Sequence, residues 1–320
     1  MIKVEKLHKQ YGGLNAVNHI SFHVAEREKL VLLGTSGCGK TTTLKMINRL
    51  IEPTSGTIEI NGKNVNHLNP TDLRRQIGYV IQNIGLFPHY TVEENIAVLP
   101  HLLQWNKPKI KNAVATIMER LQLPYDLYAN KYPAQLSGGQ QQRVGLGRAL
   151  IAEPAVILMD EPFGALDPVT RATVRNEFLQ MEEIQKKTAI VVTHDIQEAF
   201  EIGDRICFMD QGKIQQIGTA KEFIFHPAND FVRDFIKDQQ FYLLLKSLTL
   251  NDIIHFLPQA IKKDEGMVIP LTESLYHVLD KMTSRGEDHT GWDTKNRINR
   301  QINFSSILGA IAQFKTHQSG

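Results

Sequence analysis

The chain has 320 residues, with 36 basic against 34 acidic side chains and a formal net charge of +2. Hydrophobic residues make up 42% and charged residues 22%, a globular composition that excludes disordered and fibrous chains. No apolar run approaches the roughly 20 residues needed to cross a bilayer, and the near-neutral charge gives no nucleic-acid footprint. The N-terminal MIKVEKLHKQYGG carries no secretory hydrophobic segment. Two cysteines, Cys38 and Cys207, cannot build a disulfide framework, which reads as a reducing, cytoplasmic compartment.

In chain order, Lys3–Leu7 and His19–Val24 read as short strands. The compact apolar run Lys29–Leu33 reads as a buried strand ended by Gly34. Thr41–Leu50 has helical spacing, and Asn61-Gly62 predicts a hairpin over Thr57–Val65. Ile77–Ile81 reads as a strand, and Thr91–Leu123 as helical with breaks at Pro100 and Pro108. Gln140–Ala152 reads as a helix stopped before Pro154. The continuous apolar runs Ala155–Met159 and Ala189–Val192 suit strands covered on both faces, as in a parallel sheet. Arg205–Ile217 reads as a hairpin around Gly212, and residues 236–265 as a linker. A small unit over 266–320 shows one clear helix, Ser274–Met282.

Three motifs carry chemistry. The first, Gly34-Thr-Ser-Gly-Cys-Gly-Lys-Thr41, matches G-x-x-x-x-G-K-[ST] between a strand and a helix. Its glycines let backbone amides turn inward onto phosphate oxygens at a helix start. This makes Gly34, Thr35, Ser36, Gly37, Cys38, Gly39, Lys40, Thr41 and Thr42 the candidate phosphate cradle. Lys40 would neutralise the β- and γ-phosphates, and Thr41 would ligate Mg²⁺. Cys38 reads as a small filler of the loop. The second motif is the strand end Asp160-Glu161. Asp160 suits the Mg²⁺ hydration shell, and Glu161 can polarise a water for in-line attack on the γ-phosphate. The third is Leu136-Ser-Gly-Gly-Gln140 at the start of a helix, a second anion-compatible terminus.

Together these motifs resemble the ATPases of ATP-binding-cassette (ABC) transporters, over about residues 1–235. The resemblance implies an α/β P-loop fold with a mixed β-sheet core and a helical subdomain. It assigns Tyr11 to adenine stacking, Gln82 to the loop that senses magnesium and the membrane partner, and His194 to the γ-phosphate. Gln82, Glu161 and His194 are then the catalytic set, and Thr41, Gln82 and Asp160 the metal set. Ala165-Leu-Asp167 matches the loop after the catalytic glutamate, and Ser137 and Gly139 face the nucleotide of a second cassette. The implied cofactors are ATP and Mg²⁺. The implied partners are a second cassette paired head to tail, membrane permease subunits and, indirectly, an extracellular substrate-binding protein, with no nucleic acid. The implied location is peripheral, on the cytoplasmic face of the membrane.

Three longer phrases narrow the resemblance: IGYVIQNIGLFPHYTVEENIAVLP (77–100), YPAQLSGGQQQRVGLGRAL (132–150) and DEPFGALDP (160–168). They are similar to bacterial importers of quaternary amines such as glycine betaine, carnitine and choline. Amino-acid and polyamine importers share much of this wording. Residues 266–320 resemble a single, degenerate CBS module, a small α/β unit. Its centre, EDHTGWDTKNRINRQ, departs from the apolar strand such a module carries.

Overall fold

A computed structural model describes residues 1–82, 85–164, 166–259, 269–285, 289–293 and 298–318. The chain divides into two compact units, Met1–Ile217 and Gly218–Gly320.

In chain order the strands of the first unit are β1 (Ile2–Tyr11), β2 (Leu14–Val24), β3 (Lys29–Gly34), β4 (Ser55–Ile60), β5 (Lys63–Asn64), β6 (Ile77–Val80), β7 (Val156–Asp160), β8 (Thr188–Thr193), β9 (Arg205–Asp210) and β10 (Lys213–Gly218). They form two sheets. One is antiparallel, in the order β2-β1-β4-β5; the other runs β10-β9-β3-β8-β7-β6. In the second sheet β9, β3, β8, β7 and β6 are parallel neighbours. Every residue of β7 and β8 is buried, the polar Asp160, Thr188 and Thr193 at the strand ends included, and the apolar runs between them suit strands covered on both faces. The edge strand β10 returns from β9 through Gln211-Gly212, whose φ values of 46° and 76° are those of a two-residue hairpin turn. Asn61-Gly62 makes the same turn between β4 and β5, with φ of 52° and 72°.

The first two strands run longer than their apolar cores suggest. Bulges between Val4 and Lys9 let the β1–β2 pair continue through polar residues to Tyr11 and Leu14. Pro100 does not break its segment. It lies buried in the last turns of the helix Val92–Leu102. The next helix, Lys107–Arg120, takes Pro108 in its first turn, where no amide partner is lost. Sequence reasoning gave no definite bounds to the helices Pro70–Arg75, Pro168–Gln180 and Ile196–Ile202.

Asn95 fixes the turn that enters the helical region. It is fully buried. Its side-chain amide donates to the carbonyls of Phe87, Tyr90 and Thr91 at 2.9–3.1 Å, and its Oδ1 accepts from the Phe87 amide at 2.8 Å.

In the second unit, the stretch read as a linker carries the helices Gln240–Ser247 and Leu250–Ile253. Their buried faces include Leu243, Leu244, Leu250 and Ile253, so apolar spacing wins over the neighbouring charges. The rest of that stretch, from residue 260, lies outside the described residues. The helix placed at Ser274–Met282 spans Leu275–Arg285, and a second helix follows at Phe304–Gln318. Between them the polar centre forms two antiparallel strands, His289–Asp293 and Ile298–Ile302.

Replacing the buried Asn95 with Ala takes the acceptor from the Phe87 amide and a donor from three carbonyls, of which Phe87 and Thr91 keep a backbone partner. Leaving such groups unpaired costs about 1–3 kcal/mol each at most, part of which relaxation recovers. Urea denaturation is expected to show the N95A variant less stable by about 2–4 kcal/mol, with an unchanged m-value.

Candidate nucleotide site

The register of the parallel sheet gathers the candidate residues. Leu33 of β3 pairs with Thr193 of β8, and Val192 of β8 pairs with Asp160 of β7. The phosphate loop, the acid pair and His194 therefore leave the sheet at one edge.

The loop needs its glycines for space as well as for turning. A Cβ on Gly34 would lie 2.1 Å from the Met209 carbonyl oxygen, and one on Gly39 would lie 2.3 Å from that of Ala16. Gly39, at φ 103°, is the N-cap of the helix Lys40–Ile47 and places no side chain over its first-turn amides. Those amides are free to meet an anion. Lys40 is buried, and its Nζ donates to the carbonyls of Gly34 at 2.7 Å and Thr35 at 2.8 Å. The β9–β10 turn braces the loop, since the Gly212 amide donates to the Cys38 carbonyl at 3.2 Å. Thr35 Oγ1 donates to Asp210 Oδ1 at 3.1 Å. Cys38 is buried, and burial pushes its thiol up, which keeps it protonated and unreactive.

Thr41 Oγ1 donates to Asp160 Oδ1 at 2.8 Å. Burial raises the Asp160 carboxyl above the usual range, against the opposing bond from Thr41. Among the described residues no group of three or more His, Cys, Asp or Glu side chains is arranged around a metal. A hydroxyl beside one carboxylate instead suits Mg²⁺, which keeps several waters and takes further oxygens from phosphates.

Glu161 stands between two of its expected partners. Its Oε2 accepts from Gln82 Nε2 at 3.0 Å, and its Oε1 lies 3.2 Å from His194 Nδ1. Glu161 has φ 45°, a left-handed conformation uncommon outside glycine and often found at functional sites. Backbone bonds hold it there: its amide donates to Val192 and its carbonyl accepts from Gly164.

The remaining residues lie apart from this cluster. Tyr11 is exposed at the end of β1, with the Lys9 ammonium 4.9 Å from its ring centre. Ser137 caps the helix Gly138–Leu150 in a capping box with Gln140, and its hydrogen bonds stay within that helix. Gly139 packs under Val174 and Thr170. Asp167 caps the helix Pro168–Gln180, and the bond from Thr170 holds its carboxyl below the usual range. Ala165 lies outside the described residues.

Sequence reasoning missed the support behind His194. Asp195 caps the helix Ile196–Ile202, accepting from the Glu198 amide at 3.1 Å. Glu198 Oε2 in turn accepts from Thr193 Oγ1 at 2.8 Å. The D-x-x-E spacing at 195–198 is a helix-start signal that could have revealed it. Glu198 is buried, its Oε1 has no partner, and burial pushes its carboxyl up to about 7.

A glycine-turned loop feeding an uncapped helix, with an acid at the end of the next strand but one in the same parallel sheet, defines a P-loop nucleoside-triphosphate-binding cassette. Comparison with known proteins agrees. Residues 17–164 match the ABC transporter family. The chain is 49% identical to the osmoprotectant import ATP-binding protein OsmV of Salmonella typhimurium, over 86% of this chain and 72% of OsmV. It is 51% identical to the glycine betaine/carnitine/choline transport ATP-binding protein OpuCA of Bacillus subtilis, over 74% of this chain and 62% of OpuCA. It is 42% identical to the glycine betaine uptake ATP-binding protein YehX of Escherichia coli, over 89% of this chain and 92% of YehX. Among solved structures, the dimeric bacterial ABC transporter cassette MJ0796 superposes with a TM-score of 0.60 at 34% identity, covering 68% of this chain and 98% of that one. The chain belongs to the ABC transporter family of ATP-binding proteins. Among the described residues no helix is long and apolar enough to cross a membrane.

Glu198 sets a pH dependence. Its folded value of about 7 lies above its ordinary 4.5, so the folded chain holds this proton more tightly than the unfolded one. Its contribution is therefore favourable at low pH and is lost as pH rises from about 4.5 through 7. Glu198→Gln keeps an acceptor for Thr193 and removes the titration. Thermal melts are expected to show parent and variant alike at low pH, with the variant gaining up to about 3 kcal/mol as pH is raised through this window.

Proposed function

We propose that this chain is the ATP-hydrolysing subunit of a membrane importer for quaternary amine osmoprotectants such as glycine betaine, carnitine or choline. The hydrolytic part rests on the Gln82–Glu161–His194 cluster beside the Thr41–Asp160 pair. The substrate part rests on the likeness to OsmV, OpuCA and YehX.

Lys40 and the open amides of its helix would hold the β- and γ-phosphates, and Thr41, Asp160 and Gln82 would hold a hydrated Mg²⁺. The ion neutralises charge on the phosphates. Glu161 orients the attacking water and draws its proton, and His194 meets the γ-phosphate and keeps Glu161 aimed. Tyr11 stacks on adenine. Ser137, Gly139 and Asp167 make their nucleotide contacts across a head-to-tail pair of cassettes; within one chain the side-chain bonds of Ser137 stay in its own helix cap. The pair works on permease subunits from the cytoplasmic face, fed by an external binding protein. The helix–hairpin–helix order over 275–318 supports reading residues 266–320 as one CBS-like module.

Loss of a general base lowers rate by about 10²–10⁴. Glu161→Gln in the assembled transporter is expected to cut ATP turnover at least about 100-fold while nucleotide binding persists; turnover at the parent rate would remove Glu161 from its role. For the substrate, proteoliposomes holding the chain with its permease and binding protein are expected to accumulate labelled glycine betaine in an ATP-dependent way. Competition by an amino acid or a polyamine, with none by carnitine or choline, would reassign the cargo.

A further inference from the structure

A cleft of about 680 Å³ opens at the start of β6 and β7, the ends opposite Asp160. It lies in the first unit, between the turn of the antiparallel sheet at Asn61 and Lys63 and the segment that follows the helix Val92–Leu102. Nothing in the hydrolytic scheme uses it. Its volume falls in the range of small-molecule sites, about 300–1,000 Å³.

The lining carries both signs of charge around an aromatic ring. Arg75 and Lys63 supply cations, Asp72 and Glu153 supply carboxylates, and Trp105 supplies the ring. Arg75 is poorly satisfied: its Nε is buried without a partner, and its Nη1 is 4.0 Å from Asp72. A buried guanidinium N–H is costly unless an acceptor meets it, and a carboxylate is the acceptor that fits its fork. The Trp105 ring takes a cation in this structure, the Lys109 ammonium 3.8 Å from its centre, which a ligand's ammonium has to displace. A simple anion in this cleft meets Asp72 and Glu153, and a simple cation meets Arg75 and Lys63. A molecule with both charges answers the whole lining.

We propose that this cleft binds a small zwitterion, its carboxylate on Arg75 and its quaternary ammonium on Trp105 and the neighbouring carboxylates. A quaternary ammonium has no N–H to donate, so a ring face and diffuse negative charge are what can hold it. The choice of ligand class rests in part on the proposed function, because it is the chemistry of the proposed cargo. The cleft then reads the solute concentration on the side of the membrane where ATP is used.

The test is calorimetric titration of the full-length chain with glycine betaine and, separately, with choline, which lacks the carboxylate. Glycine betaine is expected to bind with millimolar affinity and choline more weakly. Trp105→Ala is expected to weaken both at least about fivefold, and Trp105→Phe to keep most of the affinity. Arg75→Ala is expected to weaken glycine betaine alone. Binding of an ATP analogue by each variant reports that it is folded. Absence of glycine betaine binding to the parent overturns the proposal, as does binding that neither Trp105→Ala nor Arg75→Ala alters. These measurements need no transport. Binding without uptake of quaternary amines refutes only the proposed cargo, and uptake without binding refutes only this site.

Discussion

The pairing of β3, β8 and β7 in parallel register is the constraint on which the rest depends. It sets Leu33 beside Thr193 and Val192 beside Asp160. The three strands therefore end together, and their following residues share one edge. A shift of one residue would exchange the two buried faces of a strand and move the phosphate loop, the acid pair and His194 out of line. The apolar runs over 156–159 and 189–192 are covered on both faces, and the polar residues Asp160 and Thr193 fall at the ends where the chemistry is. Chemistry at the edge is thus paid for by packing in the sheet.

Local devices then aim the individual groups. The positive φ of Gly39 opens a helix start without a side chain over it. Glu161 is turned into a left-handed conformation and held there by β8 and Gly164, so that its carboxylate lies between Gln82 and His194. His194 itself is backed by the buried Thr193–Glu198 bond. Glycine-driven, strand-driven and cap-driven positioning meet within a few residues.

Much of this was legible in the sequence, and the reasons differ by element. Strands β3, β7 and β8 were visible because their apolar runs have no polar interruption. The Asn61-Gly62 turn was visible because few other dipeptides accept two positive φ values. The loop Gly34–Thr41 and the pair Asp160–Glu161 were visible because the chemistry demands those residue types in that order. Pro100 misled, since the helix runs through it to Leu102 with the ring buried, at the loss of one amide bond to the preceding turn. The linker reading over 236–265 passed over the leucine spacing that makes Gln240–Ser247 a helix. Thr193–Glu198 is a local bond across a helix start, signalled only by the cap spacing of Asp195 and Glu198, and the cleft at Trp105 is a product of tertiary packing.

Lys40 carries a consequence for ligand choice. Its ammonium is bonded to two carbonyls of its own loop. Two of its three N–H donors are thus taken by carbonyls, and an incoming anion gains each of these only by replacing its carbonyl. A triphosphate replaces them with oxygens from adjacent phosphates, while its remaining oxygens reach the helix amides. A small anion spans fewer of these donors. The loop discriminates by denticity, so the abundant simple anions of a cell compete poorly for a site whose charge alone would welcome them.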